Sequence, residues 1–252
     1  MQSQNLQSFT DAVHAKGETG ELWQLMVDFM AERGVRQVSF HTVARGGGMA
    51  DPIVRAHGFP EDWVRHYIES DLVNVDPIVA LAARRSKPFF WRDVGKLTRL
   101  SDAEKAFLRE LETAQLGEGL AMQVYGPGGR TGYVGLGFGR SRPDLTEPQI
   151  FEFKSAAQIG YLKYCELTEH AHALARDLSP REEEILGWIA RGKSNGVIAD
   201  IVGVSRHTVD TNIRRIFEKL EATDRTTAAL RGVGAGIILL DRDPVPQVRD
   251  KT

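Results

Sequence analysis

Apolar residues in the first part of the chain change their spacing in a way that predicts a helix and then strands. Between residues 6 and 33 they recur at helical spacing, so the pattern predicts one helical stretch that Gly34 ends. Residues 35–43 alternate in part, which is typical of a strand, and residues 53–57 are its predicted partner. The apolar face of the helical stretch consists of Leu22, Leu25, Met26, Phe29 and Met30.

Signals for helix starts dominate the next segment. Residues 60–71 predict a short helix, in which Trp63 and Tyr67 are four positions apart and therefore share a face. Asp76 precedes a proline and an apolar run, and this order predicts a helix whose N-terminus Asp76 caps. Residues 101–115 predict a further helix, because they open with the serine and glutamate of a capping box.

A hairpin and a long helix are predicted after that segment. Residues 120–125 and 133–138 alternate and flank a Gly-Pro-Gly-Gly sequence, which favours two antiparallel strands. Residues 146–175 recur at helical spacing, and we expect the first half of this helix to pack on the sheet. The residues expected to make that contact are Ile150, Phe153, Ala157, Tyr161 and Tyr164.

Residues 178–220 divide into three short helices. Ser179 followed by Pro180 is a helix start, and Glu182 completes a capping box. Glycines and serines mark the later boundaries, since glycine favours the left-handed conformation after a helix and serine is a frequent N-cap. Those boundaries are Gly192, Ser194, Gly203 and Ser205. The residues of the second helix that we expect to face inward are Ile198, Ile201 and Val202.

The third of these helices has one apolar face and one polar face. Its core stripe consists of Val209, Ile213, Ile216 and Leu220. The polar face carries Thr211 and the candidate DNA contacts Ser205, His207, Thr208, Asn212, Arg214 and Arg215. Two helices joined by a short glycine-containing turn, the second with such a face, are typical of a helix-turn-helix. The pattern alone also fits an ordinary three-helix bundle with a solvated polar face.

The order of residues in this segment resembles the DNA-binding domain of LuxR-type transcription regulators. The resemblance rests on L-S-P-R-E-x-E-x-L, then A-x-G-K-S-N-x-x-I-A, then V-S-x-x-T-V, and it implies DNA binding by the third helix. The family's signature positions fall on Glu182, Leu186 and Gly192. Gly196 departs from the family pattern, where a helix-forming residue is usual, and glycine there should cost roughly 1 kcal/mol relative to alanine.

Composition and charge limit the possible functions without selecting one. The chain has 252 residues, 42% of them hydrophobic, so it can bury the core of one or two domains. Its net charge of −2 gives no general attraction to nucleic acid, although residues 203–220 carry four basic side chains against two acidic ones. Cys165 is the single cysteine, which excludes an intramolecular disulfide and a cysteine metal cluster. Without an apolar signal core or membrane span, the sequence predicts a cytoplasmic protein.

Trp63, Tyr67 and Asp76 offer hydrogen-bonding groups that a small polar ligand could use. An indole N–H donates, a phenol hydroxyl donates or accepts, and an ionised carboxylate accepts. A buried carboxylate needs donors, and the amide of a ligand could supply one. On the pattern alone, core aromatics and a simple helix cap are the alternative interpretation.

The order W-x-x-x-Y, then D-P, then W, then G before a strand resembles the acyl-homoserine-lactone-binding domain of the same regulators. The resemblance implies that Trp63 donates to the lactone carbonyl, Tyr67 donates to the amide carbonyl and Asp76 accepts from the amide N–H. It also implies that Trp91 forms a wall against the lactone. The other candidate ligand contacts are Phe59, Ile78, Gly119 and Gly135.

The last predicted strand departs from the family. Members often place a serine or threonine on this strand to contact the ligand amide, whereas residues 132–139 place glycine at every other or third position. Because glycines remove side-chain volume, we expect room for a long or bulky acyl chain.

The pattern of elements predicts an α+β fold, and the resemblance implies a quorum-sensing transcription factor. The expected fold is an N-terminal α/β/α sandwich with an antiparallel sheet, followed by an all-α helix-turn-helix domain of four helices. We expect an autoinducer-binding domain at 1–165, a linker at 166–176, the DNA-binding domain at 177–240 and a disordered tail at 241–252. The expected partners are an N-acyl-homoserine lactone, double-stranded DNA at a near-palindromic site, a second copy of the chain and RNA polymerase, with no cofactor, metal or membrane.

One other interpretation of the sequence remains open, and a second is disfavoured. A solo regulator of this type could respond to a different small molecule or act without ligand. We do not expect an enzyme, because His41, His57 and His66 are scattered and no nucleophile elbow or metal spacing accompanies them.

A fourth helix is predicted at 226–240, and its apolar side could pack against a twin or against the core; the residues on that side are Leu230, Val233 and Ile237.

Overall fold

The structure, a computed structural model, describes residues 5–43, 54–127, 130–139, 143–168 and 178–238. They form two compact units, one within the first 167 residues and the other within residues 178–238. The last seven residues of the helix predicted at 146–175 and the tail at 241–252 lie outside the described residues.

The first unit is built on a five-stranded sheet in which every neighbouring pair is antiparallel. The order across the sheet is β2-β1-β5-β4-β3, so β5 is central and pairs with both β1 and β4. This arrangement confirms the predicted hairpin and the predicted pairing of the first two strands. The strands are β1 Gln37–Val43, β2 Val54–His57, β3 Phe89–Phe90, β4 Gly119–Tyr125 and β5 Thr131–Gly137.

Helices cover both faces of this sheet, which confirms the α/β/α sandwich. One face packs against α1, α2 and α7 through a core that includes Phe29, Phe40 and Phe153. The other face packs against α3, α4 and α6, and Ile78 and Ala121 belong to its smaller core. The helices are α1 Leu6–His14, α2 Thr19–Ala31, α3 Glu61–Glu69, α4 Pro77–Ala82, α5 Val94–Leu97, α6 Asp102–Thr113 and α7 Glu147–Leu167, with 3₁₀ turns at Leu72–Asn74 and Trp91–Asp93.

The single helical stretch predicted between residues 6 and 33 is wrong in one respect, because the chain breaks between α1 and α2. The aromatic rings of Phe9 and Phe29 lie 4.1 Å apart and both side chains are fully buried. In one straight helix these residues, twenty positions apart, would be separated by roughly 30 Å. The break therefore lets both helices bury their apolar faces in the same core.

Four helices lie in the second unit among the described residues. The boundaries of the first three were predicted correctly, whereas the fourth, predicted at 226–240, ends at Gly234. Ser179 and Glu182 form a capping box, and Ser194 and Ser205 accept hydrogen bonds from the first turns of their helices. Gly203 takes the left-handed conformation at the end of the second helix. The helices are α8 Pro180–Ala190, α9 Asn195–Val202, α10 Arg206–Lys219 and α11 Arg225–Gly234.

One prediction about the apolar faces of this unit is wrong, and in a second case the structure separates two packed residues from an exposed one. Ile201 was expected to face inward but is 44% exposed, since α9 contacts the core through Ile198, Ala199 and Val202. On the side predicted at the fourth helix, Val233 and Ile237 pack against the core of the unit and Leu230 is 54% exposed.

Gly196 and Gly192 form a matched pair for testing the helix propensities of this unit. An added Cβ would meet no atom within 4 Å at either position, but Gly192 has a φ of +75° whereas Gly196 lies inside α9. Gly196→Ala should therefore raise the free energy of unfolding by up to about 1 kcal/mol. Gly192→Ala should lower it by roughly 1–2 kcal/mol, because alanine is strained in the left-handed conformation. Chemical denaturation of both variants measures the two values. A lower free energy of unfolding for Gly196→Ala would contradict the placement of Gly196 inside α9.

Candidate functional site

A cavity of about 60 Å³ lies between the sheet and helices α3, α4 and α6. Six of the eight candidate ligand residues line it, namely Phe59, Trp63, Tyr67, Asp76, Ile78 and Trp91. The remaining two, Gly119 and Gly135, lie directly beneath side chains of this lining. The structure thus brings the candidates together from α3, α4, the 3₁₀ turn after β3, and the central strands.

Asp76 is the buried acid of the cavity. As predicted it caps α4, and its Oδ1 accepts hydrogen bonds from the backbone N–H groups of Ile78 at 2.8 Å and Val79 at 3.3 Å. The hydroxyl of Tyr67 donates to its Oδ2 at 2.9 Å. Burial raises the pKa of Asp76 to about 6, although the hydrogen bonds from Ile78 and Tyr67 oppose this shift. The carboxyl group is therefore held in place and poorly solvated.

Helix α3 orients Trp63 and Tyr67 towards the cavity. Its inner face packs on α6, where the ring of Phe107 lies 6.4 Å from that of Trp63 and 6.1 Å from that of Tyr67. A hydrogen bond between the His66 imidazole and the Glu110 carboxylate joins the outer edges of the same two helices. Burial and the nearby Asp76 carboxylate both raise the pKa of the Tyr67 hydroxyl, so it remains a donor at neutral pH.

Trp91 lies over a glycine, and a buried glutamate holds the two residues next to this contact, Arg92 and Gly119. A Cβ on Gly119 would overlap the indole ring, so only glycine allows the ring to lie against β4. Glu118 accepts a hydrogen bond from the backbone N–H of Gly119 at 3.0 Å and one from the guanidinium of Arg92 at 2.7 Å. The indole N–H of Trp91 also has the Tyr133 side chain as a hydrogen-bonding neighbour.

The space next to Gly135 is filled, so this glycine does not supply the room that was expected for a long or bulky acyl chain. A Cβ at this position would lie 2.5 Å from the hydroxyl oxygens of both Ser39 and Tyr133. Ser39 is the cross-strand partner of Gly135 on β1, so a hydroxyl group from β1 lies beside this position. The glycine therefore accommodates neighbouring side chains and leaves no empty channel at this point.

Sequence reasoning missed three polar residues of the lining, namely Ser39, His41 and Tyr133. All three are buried, and burial lowers the pKa of His41 to about 4, so its imidazole is neutral at pH 7. Two of them, Ser39 and His41, have a signal in the sequence, because Gln37, Ser39 and His41 occupy every second position of β1. That alternation predicts a shared face but not that the face is covered.

The candidate DNA contacts lie on one side of α10. Ser205 and Thr208 are hydrogen-bonded to each other at the start of the helix, and the Asn212 amide donates to the Thr208 carbonyl at 2.8 Å. Arg214 and Arg215 are exposed, as is His207. The structure thus gives α10 a polar outer surface on which two guanidinium groups are accessible.

Internal partners account for the acidic residues around α10. The Asn195 amide donates to Asp210 at 2.7 Å, and Arg225 donates to the same Asn195 side chain at 3.4 Å. Asp210 therefore needs no base contact to be satisfied. Glu182 is buried, caps α8 and accepts a hydrogen bond from Lys219 at 2.8 Å. Of the other structural candidates, Leu186 is fully buried and Gly192 follows α8 with positive φ.

Among the described residues, no helix combines the length and apolar character required to cross a membrane. In the same part of the chain, no three histidine, cysteine or carboxylate side chains lie together as a metal site requires.

Two family models match the chain. Residues 18–164 match the autoinducer binding domain, and residues 176–231 match the luxR family of bacterial regulatory proteins.

Three individual proteins are similar to this chain over most of its length. The HTH-type quorum-sensing regulator RhlR of Pseudomonas aeruginosa is 27% identical over 216 residues, which cover 82% of this chain and 87% of RhlR. The transcriptional activator protein AhyR of Aeromonas hydrophila is 26% identical over 196 residues, 74% of each chain. The crystal structure of Escherichia coli SdiA has the same fold, with a TM-score of 0.73, 18% identity and coverage of 93% of this chain and 98% of that one.

The raised pKa of Asp76 predicts a particular pH dependence of stability. In the folded protein the carboxyl gains its proton near pH 6, whereas an unfolded aspartate does so near pH 3.9. The folded state therefore binds more protons between these values, and the contribution of Asp76 to stability rises as the pH falls. Relative to Asp76→Asn, the ligand-free protein should gain roughly 1 kcal/mol between pH 7 and pH 5.

Urea denaturation of both proteins at several pH values measures this difference. Asparagine also caps helices, so α4 keeps its N-terminal hydrogen bonds in the variant. His41 has a lowered pKa and loses stability towards acid, but it is present in both proteins and its contribution cancels. Parallel pH profiles would show that Asp76 is not destabilised by burial.

Proposed function

The chain belongs to the LuxR family of transcription regulators with an autoinducer-binding domain, and on this basis we propose that it is a regulator, rather than an enzyme, controlled by an N-acyl-homoserine lactone. The N-terminal unit binds the lactone, and a dimer of the chain binds double-stranded DNA through α10. The observation that carries the proposal is the convergence of Trp63, Tyr67, Asp76 and Trp91 on one cavity.

The polar groups of the cavity match the head of such a ligand. A lactone carries a carbonyl that the Trp63 indole can donate to, and the flat face of Trp91 can pack against the ring. The ligand amide supplies an N–H donor for the Asp76 carboxylate. A buried carboxylate gains most from such a donor, because water reaches it poorly.

Tyr67 would change its hydrogen-bond partner when a ligand binds. Its hydroxyl has a single hydrogen, which it donates to Asp76. Donation to the amide carbonyl of a ligand would require this bond to be given up. The ligand N–H would then donate to the Asp76 carboxylate in place of Tyr67. One bound amide would thus hydrogen-bond both Tyr67 and Asp76, which now bond to each other.

Binding to the folded unit also stabilises it by mass action. A ligand in hundredfold excess over its Kd contributes about 2.7 kcal/mol if the unfolded chain does not bind it. A large part of the ligand would lie in the apolar and polar core between the sheet and α3, α4 and α6. The amount of folded protein available to bind DNA would therefore follow the ligand concentration.

The second unit is proposed to read DNA as a dimer. Recognition helices of a symmetric pair lie in successive major grooves roughly 34–36 Å apart, which requires a near-palindromic site. Arg214 and Arg215 are placed to contact phosphates or base edges, while Asp210 is held by Asn195. Leu230, exposed on α11, is a candidate for the contact between the two copies. RNA polymerase is the further partner expected of a regulator of this class.

Trp63→Phe should weaken lactone binding by about tenfold or more, because it removes the indole donor and keeps an aromatic ring. The ligand-induced rise in melting temperature, measured with a panel of acyl-homoserine lactones, reports this loss. Trp23→Phe is the matched control, since Trp23 lies on the opposite face of the sheet. A wild-type protein whose melting temperature responds to no lactone would contradict the proposed ligand.

Arg214→Ala should weaken binding to the operator and reduce the dependence of log affinity on log salt concentration by about one. Titration of labelled promoter fragments at three salt concentrations measures both quantities. Arg65→Ala removes an exposed arginine from α3 and should leave DNA affinity unchanged. If both variants bind DNA as the wild type does, Arg214 is not a contact.

A further inference from the structure

A second cavity lies on the opposite face of the sheet from the candidate site. It has a volume of about 40 Å³ and is enclosed by α2, α7 and the strands β1, β2 and β5. Successive strand residues point to opposite faces, so Phe40 lines the second cavity and His41 the first, and Val134 and Tyr133 divide in the same way. The sheet therefore separates two cavities that share three strands.

Four aromatic rings form much of the wall of this second cavity. The ring of Phe40 lies 5.2 Å from that of Tyr164 and 5.8 Å from that of Tyr161, and the two tyrosine rings stack at 6.1 Å. Trp23 of α2 supplies the fourth ring. Aromatic rings attract one another edge-on or offset at roughly 4.5–7 Å between centroids, so these side chains offer the same contacts to a further flat ring.

The wall on the side of α2 is apolar and adaptable. Met26 and Met30 line the cavity, and their unbranched side chains can change rotamer to fit a bound ring. Gly160 of α7 leaves space for Met26, since a Cβ at this glycine would overlap the methionine sulfur. The cavity can therefore enlarge by movement of a methionine side chain while the backbone of both helices stays in place.

Arg55 is the one charged residue among the described side chains that line the second cavity. It is half-buried and lies opposite Phe40 in the β1–β2 pairing. Its guanidinium donates to the backbone carbonyl and the hydroxyl of Thr19 at 3.4 and 3.5 Å, which are long for hydrogen bonds. In the part of the chain that the structure describes, no carboxylate forms an ion pair with it.

This combination selects a class of ligand. A guanidinium presents a planar fork of donors that matches a carboxylate, and a charge-assisted bond of this kind is stronger where water is partly excluded. The adjoining aromatic wall favours a flat apolar body. The volume, smaller than the 60 Å³ of the first cavity, fits one ring with a short acidic arm better than a long chain.

We propose that the second cavity binds an aromatic carboxylic acid, whose ring packs among Trp23, Phe40 and Tyr161 and whose carboxylate pairs with Arg55. The site lies apart from the proposed lactone site, and the inference does not rest on the lactone. Because the acid binds the folded unit, it stabilises that unit by mass action. A second small molecule thus adds its own control over the amount of folded protein.

NMR titration of the full chain with three small probes tests the class of ligand. Phenylacetate has the proposed ring and charge, phenylacetamide keeps the ring without the charge, and cyclohexylacetate keeps the charge without the aromatic ring. Phenylacetate should bind about tenfold or more tightly than the amide, as expected for a charge-assisted hydrogen bond. It should bind about threefold or more tightly than cyclohexylacetate, because only an aromatic ring gains the ring–ring contacts.

Variants on the two faces of the sheet locate the site. Arg55→Gln removes the charge, and the ratio of acid to amide affinity should fall towards one. Arg65→Gln is the matched control, since Arg65 is exposed on α3, and it should retain the wild-type ratio. Trp63→Phe alters the first cavity and should leave the affinity for phenylacetate unchanged.

A cavity-filling variant tests the position from the side of α7. Ala157 lines the second cavity and is buried, so Ala157→Leu should weaken the binding of phenylacetate. Melting temperatures without ligand show whether this variant folds. If it does not, Arg55→Gln, which alters a half-buried residue of an edge strand, decides the question alone.

Each remaining outcome overturns a stated part of the proposal. A ratio of acid to amide affinity that persists in Arg55→Gln removes the ion pair. Equal binding of cyclohexylacetate removes the aromatic class and points to an aliphatic acid. Weaker binding of phenylacetate by Trp63→Phe, or its displacement by octanoyl-homoserine lactone, places the acid in the first cavity. Failure of the wild type to bind phenylacetate overturns the second site and leaves the proposed function as it stands.

Discussion

A carboxylate that is buried and partly satisfied is the constraint on which the sensing unit depends. Asp76 holds the first turn of α4 through the N–H groups of Ile78 and Val79, and it fixes the position of Tyr67. The same burial makes the ionised form unfavourable, as its raised pKa indicates. The group that organises the cavity would therefore also gain most from the N–H donor of the proposed ligand.

Glycines on the central strands shape the rest of the cavity by admitting side chains from neighbouring strands. Gly119 lets the Trp91 ring lie against β4, and Gly135 makes space for the hydroxyl groups of Ser39 and Tyr133. A hydroxyl group from β1 therefore lies beside β5 at this glycine. The consequence is a wall of buried polar atoms on this face of the sheet. Apolar side chains at the same positions would have given a hydrocarbon surface.

In the helical unit, buried and half-buried charges are paired internally. Lys219 contacts Glu182 within the capping box of α8, and Asn195 connects Arg225 to Asp210. Pairing is required because a buried charge without a partner is strongly destabilising. It also separates structural charges from accessible ones, so that Arg214 and Arg215 remain on the outer surface of α10.

The sequence by itself determined the features encoded by a few adjacent residues. Capping boxes, left-handed glycines and strand alternation predicted most element boundaries, because these signals act locally. Tertiary structure alone decided the break that brings Phe9 onto Phe29, the outward position of Ile201 and the burial of Ser39, His41 and Tyr133. Alternation assigns residues to a face, but only the elements packed across the sheet decide whether that face is buried and which distant side chains meet there.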